Sequence, residues 1–143
     1  MLTQIEADTL IAMKKTFVRP VTLSMPPGSD QTHELIGNDD RERFLLDLWR
    51  GTLKLSKIKY QTRGRKVIVL VRLDIDGAPH TNPDGTRLNR THIHIYREGY
   101  EDKWAFPVDP GEFGNISDIK RTLEDFCRYC NIQDIPPFQE GLI

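Results

Sequence analysis

The sequence predicts an α+β fold, a mostly antiparallel β-sheet with an N-terminal and a C-terminal helix. Three observations predict it. Alternating apolar segments, punctuated by Gly, Pro, Asn and Asp, fill the middle of the chain. Thr3 and Glu6 form a capping box ahead of an amphipathic stretch at the start. Ile116, Ile119, Leu123, Phe126 and Cys130 lie on one helical face near the end. At 143 residues, 38% hydrophobic and 29% charged, the chain is expected to fold as a single α+β domain, 1–143.

The elements follow in order. Residues 3–16 read as a helix with Ile5, Leu10, Met13 and Phe17 near one stripe, ended by Arg19-Pro20. Val18–Ser24 reads as a short edge strand, because Pro20 has no N–H for a central ladder. Pro26–Asp30 is a loop, and His33–Ile36 a short strand. Phe44–Trp49 has the length of a strand, although the preceding acids would also suit a helix start. Leu53–Tyr60 and Lys66–Asp74 form a hairpin about Arg63-Gly64. The second arm is apolar on both faces over most of its length, which marks a central strand. Asp76-Gly77 and Asn82-Pro83-Asp84-Gly85 are turn signals in a loop of about fifteen residues that carries His80. Thr91–Arg97 and Lys103–Val108 form a further hairpin. Asn115 is the expected cap of the last helix, and Pro136-Pro137 begins a tail.

Charge is strongly segregated. Arg50, Lys54, Lys57, Lys59, Arg63, Arg65, Lys66 and Arg72 occupy a stretch without a single Asp or Glu. With 20 basic and 21 acidic residues in all, the rest of the chain sums to 12 − 21 = −9. Such a block suits a polyanion or an acidic partner protein, and equally a solvated hairpin. No apolar run approaches the roughly 18 residues that span a bilayer. The N-terminus carries acid before base, unlike a secretory signal. A cytoplasmic location without membrane contact is therefore expected, and a homodimer is compatible with the composition. Cys127 and Cys130 form a C-x-x-C at the end of a predicted helix, the wrong pole to favour thiolate, so they read as buried apolar groups.

Thr91-His92-Ile93-His94-Ile95-Tyr96 holds two of the four histidines. Strand alternation turns Ile93 and Ile95 to the core, and His92, His94 and Tyr96 to the opposite face. On Lys66–Asp74, Val67, Val69, Val71 and Leu73 form the inward set, so Arg72 and Asp74 join the histidine face. On the Leu53 strand, Leu53 and Leu55 turn inward, while Lys54, Ser56 and Tyr60 join the histidines. The last helix covers the other face. That separates His92 and His94 from Cys127 and Cys130 and disfavours a Cys2His2 zinc site.

The face suits an ordinary half-exposed strand, in a non-catalytic module that docks an acidic partner through the basic hairpin, and equally either of two chemistries. In metal-free RNA cleavage, His92 and His94 act as acid and base, Arg72 stabilises the phosphorane and Tyr96 orients or stacks. Lys54, Lys57, Lys59, Arg63, Arg65 and Lys66 then track the polyanion. This reading needs no cofactor and no metal. In the alternative, His92 and His94 hold a metal with His80 or Asp74. Gly85, His92-x-His94 and Glu98 come near the cupin metal pattern, but Ala105 stands where that pattern has Gly, and no histidine follows His94.

Phe44-Leu-Leu-Asp-Leu-Trp-Arg50, Leu70-Val-Arg-Leu-Asp74, Pro79-His80-x-Asn82-Pro-Asp-Gly85, His92-Ile-His-Ile-Tyr-Arg-Glu-Gly99, Lys103-Trp-Ala105 and Asp125-Phe-x-x-Tyr-Cys-Asn131 are distinctive stretches. Through them the chain resembles an uncharacterised bacterial protein family of similar length, which implies no activity. His92-x-His94, an aromatic strand ending near Phe106 and Leu123-x-Asp125-Phe126 are also similar to TumE-type toxins of toxin–antitoxin systems. That likeness covers about residues 91 to 130. It implies action on RNA and an antitoxin partner, although the N-terminal half here is longer than in those toxins.

Overall fold

The computed structural model describes residues 1–139; the last part of the expected tail, residues 140–143, lies outside the described residues. The elements are α1 (Gln4–Ala12), β1 (Lys15–Phe17), β2 (Asp30–Gly37), β3 (Arg43–Arg50), β4 (Ile58–Gly64), β5 (Ile68–Ile75), β6 (His80–Thr81), β7 (Arg87–Leu88), β8 (His92–Ile95), β9 (Ala105–Phe106) and α2 (Ile119–Tyr129). Seven strands form one antiparallel sheet in the order β1-β2-β3-β4-β5-β8-β9, and β6-β7 form a separate hairpin. The fold is α+β, as expected. No helix among the described residues is long and apolar enough to cross a membrane.

Each sheet face has one job. Leu35, Phe44, Leu46, Leu48, Ile58, Tyr60, Val71, Leu73 and Ile93 are buried on the face that carries the helices. Tyr60 packs on Phe126 of α2 with ring centroids 5.9 Å apart. Gly64 leaves room beside Leu70 and for Leu10 of α1, whose Cδ1 would lie 3.6 Å from an added Cβ. The other face carries Thr32, Asp47, Gln61, Arg72 and His94 as successive register partners, with Asp30, Trp49, Lys59, Asp74 and His92 as the adjacent row. No helix of the described residues packs there.

Several expectations are corrected. The capping box at Thr3 and Glu6 is present, but the helix stops at Ala12 and Ile5 is exposed; Ala7 and Leu10 form its buried side. The chain then turns straight into β1, where Lys15, Thr16 and Phe17 pair with β2, so Val18–Ser24 is no strand. Thr16 and Phe17 suit a pleated surface better than a further helical turn. Leu23 makes only an isolated bridge, to Phe138, so the tail docks on the body. Leu53–Tyr60 is a strand only from Ile58, and Leu53 and Leu55 are exposed rather than inward. The hairpin turns at Arg65-Lys66, both in the left-handed region, not at Arg63-Gly64. Arg63 pairs with Val69 and Thr62 with Val71, so Leu70 is an extra, bulged residue. The bulge breaks the expected alternation, and Val67 is 77% exposed. Asp118 rather than Asn115 caps α2, its side chain accepting from the Arg121 N–H.

Candidate functional site

The bulge at Leu70 resets β5 so that Arg72 and Asp74 face away from the helices. Register then places Arg72 opposite His94 and Asp74 opposite His92. This is the neighbourhood that strand alternation predicts. Both imidazoles are almost completely buried, at 1% and 2% exposure. His80, from the β6-β7 hairpin, lies over them with its ring centroid 4.7 Å from His94 and 5.6 Å from His92.

The hydrogen bonds fix the tautomers. His92 Nδ1 lies 2.6 Å from the Asn89 carbonyl and His94 Nδ1 2.8 Å from the Asp102 carbonyl. A carbonyl only accepts, so both Nδ1 atoms carry hydrogen. In its neutral form each ring therefore turns an Nε2 lone pair inward, and in its protonated form an Nε2–H. Both Nε2 atoms lie 3.4 Å from Asp74 Oδ2. His80 donates Nε2–H to the Lys103 carbonyl at 2.8 Å.

Arg72 ties the site together. Its Nε donates to Asp74 Oδ1 at 3.0 Å and its Nη1 to Asp102 Oδ2 at 3.0 Å. Its Nη2 lies 3.1 Å from His94 Nε2 and donates to that lone pair. Burial pushes the Asp74 carboxyl up, but hydrogen bonds from His92 and His94 in their protonated forms, and the charge of Arg72, pull it further down, well below the usual range. Burial pushes His92 down, but Asp74 and the Asn89 carbonyl outweigh it and raise it. The pocket is thus an ionised buried carboxylate that favours positive charge beside it.

Asp74, His92 and His94 offer one oxygen and two nitrogens, all within 4.8 Å of one another, the convergent set among the described residues. A separation of 3.4 Å exceeds the roughly 2.7–2.9 Å of a charged N–H···O bond. The two oxygen–nitrogen edges match those of a tetrahedron about an ion with ligands at about 2.1 Å. Nδ1–H groups held by backbone carbonyls are also the usual support for metal-binding imidazoles. Of the two completing ligands foreseen, Asp74 belongs to the convergent set and His80 does not.

The other foreseen residues separate. Tyr96 leaves the histidine face: it is 2% exposed, and its hydroxyl donates to the Leu2 carbonyl at 2.7 Å and accepts from the Leu2 N–H at 3.0 Å. The reason is that β8 ends at Ile95, before the alternation reaches Tyr96. Tyr60 is likewise in the core, and Lys54 and Ser56 lie in the loop before β4, both bound to Asp76. Arg63 forks onto Asp47, at 2.7 Å and 2.9 Å. Arg65 faces Glu42 and Glu6 at 3.4 Å and 3.7 Å. A block free of acid in sequence is therefore interleaved with acids from elsewhere in space. Among the described residues Lys57, Lys59 and Lys66 make no ion pair. The ammonium groups of Lys57 and Lys59 stand 5.7 Å and 5.5 Å from the Trp49 ring centre.

Asp102 and Trp49 went unforeseen. Trp49 was legible only as part of an apolar strand, and nothing in the spacing of Asp102 links it to Arg72. No curated protein and no solved structure matches this chain. A family model does match, over residues 2–132, nearly the whole described chain. The chain belongs to DUF6978, a family of unknown function.

Proposed function

We propose that the protein is a metal-dependent enzyme, with Asp74, His92 and His94 as ligands of one divalent transition-metal ion. The observation that carries this reading is the pair of inward Nε2 atoms, each 3.4 Å from the same carboxylate oxygen. Both rings spend their only N–H on a backbone carbonyl, so neither neutral ring can donate to Asp74. A cation between the three atoms would relieve that opposition at His92 and take the place of the Arg72 donor at His94, and three protein ligands would leave room for water or substrate. Arg72 would release His94 Nε2 to the ion and keep its bonds to Asp74 and Asp102. There it can stabilise negative charge that develops on a substrate, which suits hydrolysis of an anionic ester.

The second reading is metal-free RNA cleavage by His92 and His94 in the manner of a toxin. The short bond from Arg72 to His94 favours it, since it puts a cation beside a candidate base. The inward aim and deep burial of both reactive nitrogens speak against it.

Titration calorimetry on tag-free, chelator-treated protein with Zn²⁺ and Mn²⁺ tests the first reading. We expect one ion per chain with at least one of the metals, and a loss of 100-fold or more in affinity for His92→Ala, about what removal of a primary ligand should exceed. No stoichiometric binding of either metal would overturn it. RNA cleavage that persists in chelator and vanishes in His94→Ala would favour the second reading instead.

A further inference from the structure

The open sheet face does more than hold the candidate ligands. Asp30, Trp49, Lys59, Asp74 and His92 form one unbroken row of register partners across five strands. Trp49 and Asp74 are thus two strands apart, roughly 10 Å. Between them runs a shallow concavity of about 470 Å³ lined by Trp49, Lys59, Gln61, Arg63, Arg72 and Asp47, among others. Within it Arg63 is neutralised by Asp47, and Arg72 by Asp74 and Asp102. Lys59, joined from the strand end by Lys57, is free of ion pairs among the described residues, and both ammonium groups stand over the indole ring.

We infer that this row is a substrate path for single-stranded nucleic acid. A base stacks on Trp49, and the backbone beside it lies on Lys57 and Lys59. The chain then runs across β4 and β5 toward Asp74. Three features support this. A half-buried indole on a sheet face that no helix covers offers a π-surface once the two lysines swing off it, and their ammonium groups then supply the backbone charge. The two lysines keep their charge for a ligand, whereas the other cations of the groove spend theirs on internal carboxylates. The shallow, open shape admits an extended strand. The inference rests on the metal reading for what happens at Asp74, but binding along the row does not require the ion.

The test uses the full-length protein and fluorescently labelled ten-nucleotide single-stranded RNA, single-stranded DNA and duplex, followed by anisotropy. A parallel titration follows intrinsic tryptophan emission. Single strands should bind more tightly than duplex and quench tryptophan emission in the wild type but not in Trp49→Ala, where Trp104 is the remaining indole. The RNA and DNA arms decide which sugar is preferred. Trp49→Ala and Lys57→Glu should each weaken single-strand binding about tenfold or more, and Trp49→Phe should retain most of it. Zn²⁺ affinity should be unchanged in Trp49→Ala, so the two readings fail separately. Absence of binding by the wild type, or equal binding by wild type, Trp49→Ala and Lys57→Glu, would overturn the inference. Tighter binding to duplex than to single strands would overturn it as well.

Discussion

The ammonium of Lys15 lies 2.8 Å from the carbonyl oxygen of Cys130 and joins the C-termini of the two helices. Its other two hydrogens go to the carbonyls of Ile11 and Met13, at 2.9 Å and 2.8 Å. The side chain is 1% exposed, and its charge also stands 4.7 Å over the Phe44 ring. A cation here answers the partial negative charge of two helix ends at once. Lys15→Met should keep the packing of the stem but leave three carbonyls without this donor. We expect a loss of about 1–3 kcal/mol in urea unfolding at neutral pH, since burial of the charge offsets part of what its three hydrogen bonds supply. A change below about 1 kcal/mol would mean that water replaces the ammonium at no cost.

Alkaline stability should show two opposing slopes. Burial pushes the thiols of Cys127 and Cys130 up to about 12 from an ordinary value near 9. The unfolded chain therefore loses these protons first, and each thiol lowers stability by about 1.4 kcal/mol per pH unit above about pH 9. Burial pushes Lys15 down to about 8 from 10.5, so the folded state loses that proton first. Its contribution rises with pH between those values and offsets one thiol. Between pH 9 and 10 the net fall should be about that of one thiol. Cys127→Ala should flatten it, as read by urea midpoints at several pH values.

His80 covers the two buried imidazoles without belonging to the convergent set. His80→Ala should leave metal stoichiometry at one per chain and speed loss of the ion to a chelator by about tenfold, the size of a supporting contact. Stopped-flow transfer to a chromogenic chelator measures this. An unchanged rate would show that ions reach the centre by another route.

Asn82 acts as a strand residue with its side chain. Its Nδ2 donates to the Ala105 carbonyl at 2.9 Å, and its Oδ1 accepts from the Ala105 N–H at 2.8 Å. Asn82→Ala strips both partners from a buried backbone pair. It should cost about 2 kcal/mol and raise amide exchange at Ala105 and along the β6-β7 hairpin. Exchange unchanged in that segment would show that His80 alone holds the hairpin down.

Much of this was legible in the sequence, and the misses have physical causes. The placement of His92, His94, Arg72 and Asp74 on one face followed from alternation alone, because Ile93 and Leu73 have no other place to go. Tyr96 and Tyr60 were misplaced by the same rule. Alternation fails where a strand ends, as at Ile95, or where its start is misjudged, as at Ile58. Leu70 is a further break, since an apolar run gives no sign of which residue is the extra one. The basic block misled through its one-dimensional form. Asp47, Glu42 and Glu6 neutralise it from distant positions that only pairing register reveals. Lys15 gave no signal at all, since its role depends on two helix ends meeting at one point.

The sheet works as a partition. Every group of the candidate centre and of the Trp49 row projects from the side opposite the helices, while Leu46, Tyr60, Leu73 and Phe126 lock the other side. Solvent-side replacements along the row can therefore accumulate without disturbing the packed layer. Residues such as Trp49, Lys59 or Gln61 can be exchanged one at a time to change the chemistry of this surface, each at little risk to folding.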